Sequence, residues 1–92
     1  MIRSWGSSAT RRLFETGVSR FGGLDVELAL DMVGVLAAAP TLAPLVAMRS
    51  VRLHKLRGDR AGQWALRLNG PWRLCFRFRD GDAYDVEIVD YH

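Results

Sequence analysis

The chain has 92 residues, of which 49% are hydrophobic and 25% charged, as expected for one globular domain and too few for two. No apolar run approaches the ~20 residues that span a bilayer, and the first residues lack the apolar region of a secretion signal. Its one cysteine, Cys75, excludes an internal disulfide, which fits a reducing compartment. We therefore expect a cytoplasmic protein, and the lack of a long apolar run predicts no membrane contact. The net charge of +3 is small, so the positions of the charged residues along the chain are more informative about partners than the total.

The chain is predicted to begin with a strand and a helix. Residues 2–5 are predicted to form a short strand. Ser7 or Ser8 offers an N-cap oxygen for a helix over residues 9–16. Gly17 suits the end of that helix, because glycine accepts the left-handed backbone of a C-cap.

A second helix is predicted from Asp25, an acid in its first turn, to about Ala39, where Pro40 ends it. Six apolar residues recur at helical spacing and predict its core face: Val26, Ala29, Leu30, Val33, Leu36 and Ala37. Three more lie largely outside that stripe: Leu28, Met32 and Val35. The helix is therefore apolar nearly all round. This leaves two interpretations open, a deeply packed helix or a surface covered by a protein partner.

From residue 51 onward the periodicity is that of strands. Four segments alternate between apolar and polar residues: 51–54, 64–69, 72–79 and 84–89. The pairs Asn69-Gly70 and Asp80-Gly81 predict tight hairpins between the last three. The order β-α-α-β-β-β-β predicts an α+β fold, with two N-terminal helices packed on one face of a mainly antiparallel sheet.

The segment over residues 72–79 has two contrasting faces. One parity is apolar and aromatic: Trp72, Leu74, Phe76 and Phe78. The other carries Arg73, Cys75, Arg77 and Arg79. Because side chains alternate across a strand, we expect the apolar parity to face the helices and the arginines to lie on the open face. If no bulge intervenes, parity gathers further polar residues on that open face: Arg52, His54, Arg67, Asn69 and Tyr91.

Basic residues are concentrated in one block. Between residues 52 and 79 there are eight basic residues against one acid, Asp59. From residue 80 to residue 90 there are five acids and no base. A contiguous basic block favours a phosphate-bearing partner, with a soluble arginine-rich surface as the equal alternative.

No nucleotide loop, metal-ligand spacing or Gly-x-Ser-x-Gly motif occurs, so we expect neither metal nor cofactor. What remains is His54, the basic block and the terminal Asp90-Tyr91-His92. Histidine exchanges protons near neutral pH, arginine holds phosphate, and tyrosine stacks on an unpaired base. Together they suit RNA cleavage by its own 2′-hydroxyl, which needs a base, an acid and positive charge on the transition state.

The same residues also have simpler interpretations. In these interpretations His54 is an ordinary surface histidine and His92 is only a terminal residue. The strand arginines pair with Asp85 and Glu87 across the sheet. From the residues alone, the prediction stops at a small basic α+β domain with a candidate nucleic-acid surface.

Three segments carry a resemblance to a known family. They are Leu-His-Lys-Leu-Arg-Gly-Asp-Arg-Ala-Gly-Gln-Trp (53–64), Arg-Leu-Asn-Gly-Pro-Trp-Arg-Leu-Cys-Phe-Arg-Phe (67–78) and Asp-Gly-Asp-Ala-Tyr-Asp-Val-Glu-Ile-Val-Asp-Tyr-His (80–92). The pattern resembles the HigB-type toxins of bacterial toxin–antitoxin pairs, within the RelE/ParE superfamily. The start of the chain and residues 13–17 also fit, and residues 18–49 fit least. The resemblance covers nearly the whole length and implies a single RelE-like domain over residues 1–92.

The resemblance implies an endoribonuclease that cuts mRNA in the ribosomal A site. It also implies a helix-turn-helix antitoxin of the HigA type, through which alone the toxin would reach DNA. Two alternatives from other classes are a non-catalytic inhibitory toxin like those of the ParE branch and a generic RNA-binding domain. The acid–base groups at the end of the chain favour the nuclease, since a protein-binding inhibitor has no need of them.

Residue by residue, the resemblance implies a catalytic set of His54, Arg73, Asp90, Tyr91 and His92. Either histidine would act as base or acid, Tyr91 would orient or stack the base, Asp90 would orient a histidine or the 2′-hydroxyl, and Arg73 would stabilise the phosphate. The remaining basic residues are predicted to contact RNA or the ribosome: Arg52, Lys55, Arg57, Arg60, Arg67, Arg77 and Arg79. The apolar residues Leu28, Met32 and Val35 are the predicted antitoxin surface.

Arg57 departs from the family, which often has lysine in Leu-Lys-Gly-Asp-Arg. An arginine keeps the charge and can bind phosphate. It cannot act as a proton donor in catalysis, because it does not deprotonate.

Overall fold

A computed structural model describes residues 1–90, and it contains three helices and one four-stranded antiparallel sheet. The helices are α1 (Ser8–Thr16), α2 (Val26–Ala38) and α3 (Ala43–Ala47). The strands, in their order across the sheet, are β1 (His54–Lys55), β2 (Trp64–Arg67), β3 (Trp72–Arg79) and β4 (Asp82–Asp90). Short 3-10 turns cover Arg49–Val51 and Gly58–Arg60. The predicted α+β class is confirmed, with α3 as an additional helix. None of the helices in residues 1–90 is long and apolar enough to cross a membrane.

The caps of α1 are those predicted. The Ser7 hydroxyl accepts a hydrogen bond from the Thr10 amide at 3.2 Å, which satisfies one free donor of the first turn. Gly17 ends the helix in the left-handed conformation, with φ of 78° and its N–H bonded to the Leu13 carbonyl. The two caps define the ends of this short helix, and its Leu13 is fully buried in the core.

The core face of α2 contains the predicted Ala29, Val33 and Leu36 but is rotated toward Met32. Asp25 is its N-cap, and its carboxylate accepts from the Leu28 amide at 3.1 Å. Leu30 is 39% exposed, whereas Met32 is 2% exposed and belongs to the core. Apolar spacing could not decide this, because α3 and β4 pack against α2 and set its angle. Met32 therefore offers no surface to an antitoxin; Leu28 and Val35 are partly buried.

The strand β3 is central and carries the core, as predicted. It pairs with β2 on one side and with β4 on the other. Its side chains Leu74 and Phe76 are fully buried under the helices, together with Leu66 of β2 and Val86 of β4. Burying a side chain of this size contributes about 1.5–3 kcal/mol, so this layer is a large part of the stability of the domain.

The strand β4 contains a β-bulge. Its register with β3 shifts by one residue between Cys75 and Arg77. Asp85, whose φ is +54°, lies in this irregular stretch. The extra residue reverses the alternation on one side of the bulge. Ala83 consequently points into the core, and Tyr84 pairs with Arg77 on the face opposite the helices.

The predicted first strand is reduced to two isolated parallel bridges. Residues 2–6 run beside β4 and bridge to it through Ile2 with Ala83 and Trp5 with Val86. The N-terminal segment lies close against β4 at Gly6. A Cβ atom at this position would lie 2.8 Å from the Asp85 carbonyl oxygen, which leaves no room for a side chain. The N-terminal segment therefore covers the outer edge of β4 without continuing the sheet as a regular strand.

Thr10 is the one buried polar residue among residues 1–90, and it joins α1 to β4. Its hydroxyl accepts a hydrogen bond from the Ile88 amide at 3.0 Å and forms a second hydrogen bond with the Ser7 hydroxyl at 2.8 Å. We expect Thr10→Val to lower the free energy of unfolding by about 1–3 kcal/mol, because the Ile88 N–H is left buried without an acceptor. Denaturant melts measure this loss.

The matched control is Thr41→Val. The Thr41 hydroxyl is exposed and contacts only the nearby Ala43 amide. Equal losses in the two variants would contradict a special role for the Thr10 hydroxyl.

Candidate active site

The uncovered face of the sheet brings three basic side chains from three strands together. His54 of β1 pairs with Ala65 of β2, and Arg67, two residues further along β2, pairs with Arg73 of β3. In antiparallel pairs the partners share a face, and residues two apart on a strand share it too. His54, Arg67 and Arg73 therefore occupy neighbouring positions on one surface, as parity predicts.

Arg67 and Arg73 form a like-charged pair across two strands. The Leu68 amide donates to the Trp72 carbonyl at 3.0 Å. The adjacent pair, Arg67 with Arg73, is then of the non-hydrogen-bonded kind, whose Cα atoms are about 4.5 Å apart. Like charges at this spacing destabilise a sheet. No carboxylate within residues 1–90 forms an ion pair with either side chain. An anion bound between them would relieve the repulsion.

The Arg73 guanidinium is held in place by the hairpin beside it. Its Nη1 donates to the Gly70 carbonyl at 3.1 Å and to the Trp72 carbonyl at 3.0 Å. These bonds occupy one terminal nitrogen and leave the other side of the fork for a ligand. Asn69, predicted on the open face, instead ties the same hairpin to the start of α2. Its amide accepts from the Asp25 N–H at 2.6 Å and donates to Gly23 at 2.8 Å.

The His54 ring is anchored through one nitrogen. Nδ1 lies 2.9 Å from the carbonyl oxygen of Arg52, whose left-handed backbone (φ of 50°) turns that region of the chain. A carbonyl can only accept, so Nδ1 carries the proton of the neutral ring. Nε2 then keeps its lone pair and can take a proton. The side chain is exposed, as a residue that meets a substrate must be.

A small apolar cluster lies beneath these polar groups. Leu56, Ala65 and Cys75 are buried on this face, and Val89 packs against them. Burial raises the pKa of the Cys75 thiol, an effect that nearby Arg60 partly offsets. Cys75 is thus a structural thiol. Within residues 1–90 no three histidine, cysteine or acidic side chains are grouped as a metal site.

The loop between β1 and β2 covers this cluster, which the sequence did not predict. Arg60 reaches from the loop to Glu87 of β4 at 3.3 Å and also donates to Gln63 at 3.1 Å. Arg57 precedes the 3-10 turn of the loop and is exposed. Among residues 1–90, nothing from the β1–β2 loop covers the face without helices around His54, Arg67 and Arg73.

The other predicted RNA-binding residues are dispersed. Arg77 forms an ion pair with Asp85 at 3.4 Å, and the Arg79 guanidinium lies 5.0 Å from the ring centre of Tyr84. A hydrogen bond with Tyr84 raises the pKa of Arg79. Lys55 lies over the Trp64 ring, 5.3 Å from its centre, and its pairing puts it on the opposite face from His54.

The predicted C-terminal catalytic group is only partly described. Asp90 pairs with Trp72, whose indole Nε1 donates to the Gly22 carbonyl beside the helices. The register therefore places Asp90 on the other sheet face from Arg73, at the same end of the sheet. Tyr91 and His92 lie outside the described residues.

Comparison with known proteins supports one family. A family model described as the RelE-like toxin of the type II toxin–antitoxin system HigB matches residues 18–92. The curated protein Endoribonuclease HigB from Proteus vulgaris is 36% identical over 93 residues, which covers all of both chains.

Proposed function

Because the chain belongs to the HigB-like toxins of type II toxin–antitoxin systems, we propose that it is an endoribonuclease that cuts mRNA in the ribosomal A site. A relative that matches its whole length is named an endoribonuclease, which supports the reaction class. The observation that carries the proposal is the Arg67–Arg73 pair next to His54 on the uncovered face, which no carboxylate of residues 1–90 neutralises.

The proposed reaction uses the RNA's own 2′-hydroxyl. A base removes its proton, the 2′-oxygen forms a bond to phosphorus, and the bond from phosphorus to the 5′-oxygen breaks. An acid protonates the leaving oxygen, so the products are a 2′,3′-cyclic phosphate and a 5′-hydroxyl. His54, with Nε2 free to take a proton, supplies one of these roles and His92 the other. Arg73 and Arg67 stabilise the charge that develops on the phosphoryl oxygens.

The other members of the predicted set position the substrate. Tyr91 stacks on or orients a base, and Asp90 orients a histidine or the 2′-hydroxyl from the end of β4. Arg57 binds phosphate and takes no part in proton transfer, because its guanidinium stays charged. Arg52 contributes its carbonyl to His54 and a charge at the rim.

Membership of a type II family implies an antitoxin partner. We further propose that this partner is a helix-turn-helix protein of the HigA type and that the toxin acts in the cytoplasm, where ribosomes translate. In that complex Leu28 and Val35 remain candidates for the apolar contact, since both are partly exposed on α2.

Mapping of mRNA 5′ ends after induction in bacteria tests the proposal. We expect new ends within coding regions that fall at a fixed position relative to the codon. Purified toxin should cut the same mRNA far less without ribosomes. Cuts without codon phase, or equal cutting of free RNA, would contradict ribosome dependence. Growth arrest without RNA cuts would favour an inhibitory toxin of the ParE kind.

A further inference from the structure

A second cleft lies at the far end of β3 from Arg73. Its volume is about 350 Å³, and five residues line it: Arg77, Phe78, Arg79, Tyr84 and Asp85. Arg73 and Arg79 are six residues apart on one strand, which is about 20 Å along an extended chain. The cleft therefore lies outside the site around Arg73, at a distance that one nucleotide does not cover. Arg79 is on the same strand as Arg73 and on the same face of the sheet.

The bulge in β4 creates this cleft. In an uninterrupted strand Tyr84 would share its face with Val86, which is fully buried in the core. The shift in register instead sets Tyr84 opposite Arg77 on the uncovered face. The irregularity includes a positive φ of +54° at Asp85, a conformation that aspartate tolerates better than most residues. Bulges often redirect a side chain in this way.

The redirected ring forms a flat platform with a carboxylate beside it. The Arg79 guanidinium lies 5.0 Å from the Tyr84 ring centre, so two planar groups are available for stacking. The Asp85 side chain is 51% exposed, one of its oxygens lies 3.4 Å from Arg77 Nε, and the other accepts from the Ser4 hydroxyl at 3.4 Å. A carboxylate has about four acceptor positions, so it can accept further hydrogen bonds from a ligand.

We propose that this cleft binds a nucleobase of single-stranded RNA, with guanine preferred, at a position flanking the cut. The inference rests on the proposed function, since it adds a subsite to the same RNA path. Stacking on Tyr84 and Arg79 accepts any base. Guanine is distinguished because its N1–H and exocyclic amine lie side by side and can both donate to the Asp85 carboxylate, a pair of donors that uracil lacks.

The charges around the cleft favour a base over a phosphate. Two arginines line the cleft, but Asp85 forms an ion pair with Arg77, and Asp80 lies close enough to influence Arg79. These acids oppose a phosphate, which binds better between Arg67 and Arg73, where no acid of residues 1–90 forms an ion pair. A neutral base meets no such repulsion, and its donors gain from the carboxylate.

Titration of the ¹⁵N-labelled full chain with GMP, UMP and inorganic phosphate, followed by NMR, tests the inference. We expect GMP to shift the amides of residues 77–85 and to bind there roughly fivefold or more tightly than UMP. Tyr84→Leu should weaken GMP binding roughly fivefold or more by removing the stacking surface, whereas Tyr84→Phe should retain it. Asp85→Asn keeps a residue that tolerates positive φ and should abolish the preference for GMP.

Three results would overturn the inference: equal shifts with inorganic phosphate, unchanged GMP binding in Tyr84→Leu, or no shift at residues 77–85. The ¹⁵N spectra of the variants show directly whether each remains folded. Because this titration needs neither ribosomes nor cleavage, its outcome is independent of the 5′-end mapping. Base binding without codon-phased cuts would reject the proposed function and retain the cleft, and the reverse result would reject the cleft alone.

Discussion

Arg73→Ala is expected to lower RNA cleavage by about 10²–10³-fold, the loss seen when one preorganised charge-stabilising donor is removed. The guanidinium is fixed by two hairpin carbonyls and stands opposite Arg67, so its place is set before RNA arrives. The fold should change little, because the side chain lies on the uncovered face and its removal relieves a like-charge contact. Cleavage rates on translating ribosomes and a thermal melt measure the two effects.

Two variants sharpen this test. Arg73→Lys keeps the charge and loses the fork, so it should recover part of the activity if the arginine binds phosphate through two nitrogens. Arg12→Ala removes an exposed arginine from α1, on the helical side, and should cut normally. A fall in Tm of roughly 4–8 °C for each kcal/mol lost would instead identify Arg73 as structural. Normal cleavage by Arg73→Ala would contradict its contact with the phosphate.

His54→Ala and His92→Ala should each reduce cleavage by about 10²–10⁴-fold and abolish growth arrest, because each removes one partner of the proposed proton transfer. Antitoxin binding and folding should survive both changes. Since acid and base act in one step, the double variant should be little worse than either single one. Single-turnover cleavage on ribosomes measures these losses, and toxicity in bacteria reports them in the cell.

His54→Asn separates orientation from chemistry. An asparagine amide can still donate to the Arg52 carbonyl, but it cannot take up a proton. It should therefore be as inactive as His54→Ala. Activity close to that of the unchanged protein in either variant would remove His54 from the mechanism, and full toxicity without His92 would do the same for that residue.

Local chemistry made part of this structure predictable. The N-cap at Ser7, the left-handed Gly17 and the hairpin at Asn69-Gly70 each depend on a few neighbouring residues, and all three are present. The alternation of β3 is also local, and it correctly places Arg73 on the uncovered face. Where the fold depends only on neighbours in sequence, the pattern was sufficient.

The features that escaped prediction depend on contacts between distant segments. The bulge at Asp85 contains no glycine that would mark it in the sequence. The alternation of β4 therefore could not assign Tyr84 to the correct face of the sheet. The angle of α2, which buries Met32 and exposes Leu30, is set by elements packed against it. The loop that lies over Cys75 is held by Arg60 and Glu87, which are 27 positions apart. The role proposed for Arg67 depends on its cross-strand pairing with Arg73, and the sequence alone does not show which basic residues pair.

The position of β4 has a consequence for how the chain is made. Residues 2–6 bridge to β4, α1 is bonded to it through Thr10, and α2 packs against it, although all three precede it by roughly half the chain or more. The N-terminal elements cannot reach their final packing until β4 has been translated and has left the exit tunnel. Such distant pairing also slows folding, because long loops must close first. A nascent chain that lacks β4 therefore has no completed domain over residues 1–90, because its N-terminal elements still lack the strand they pack against.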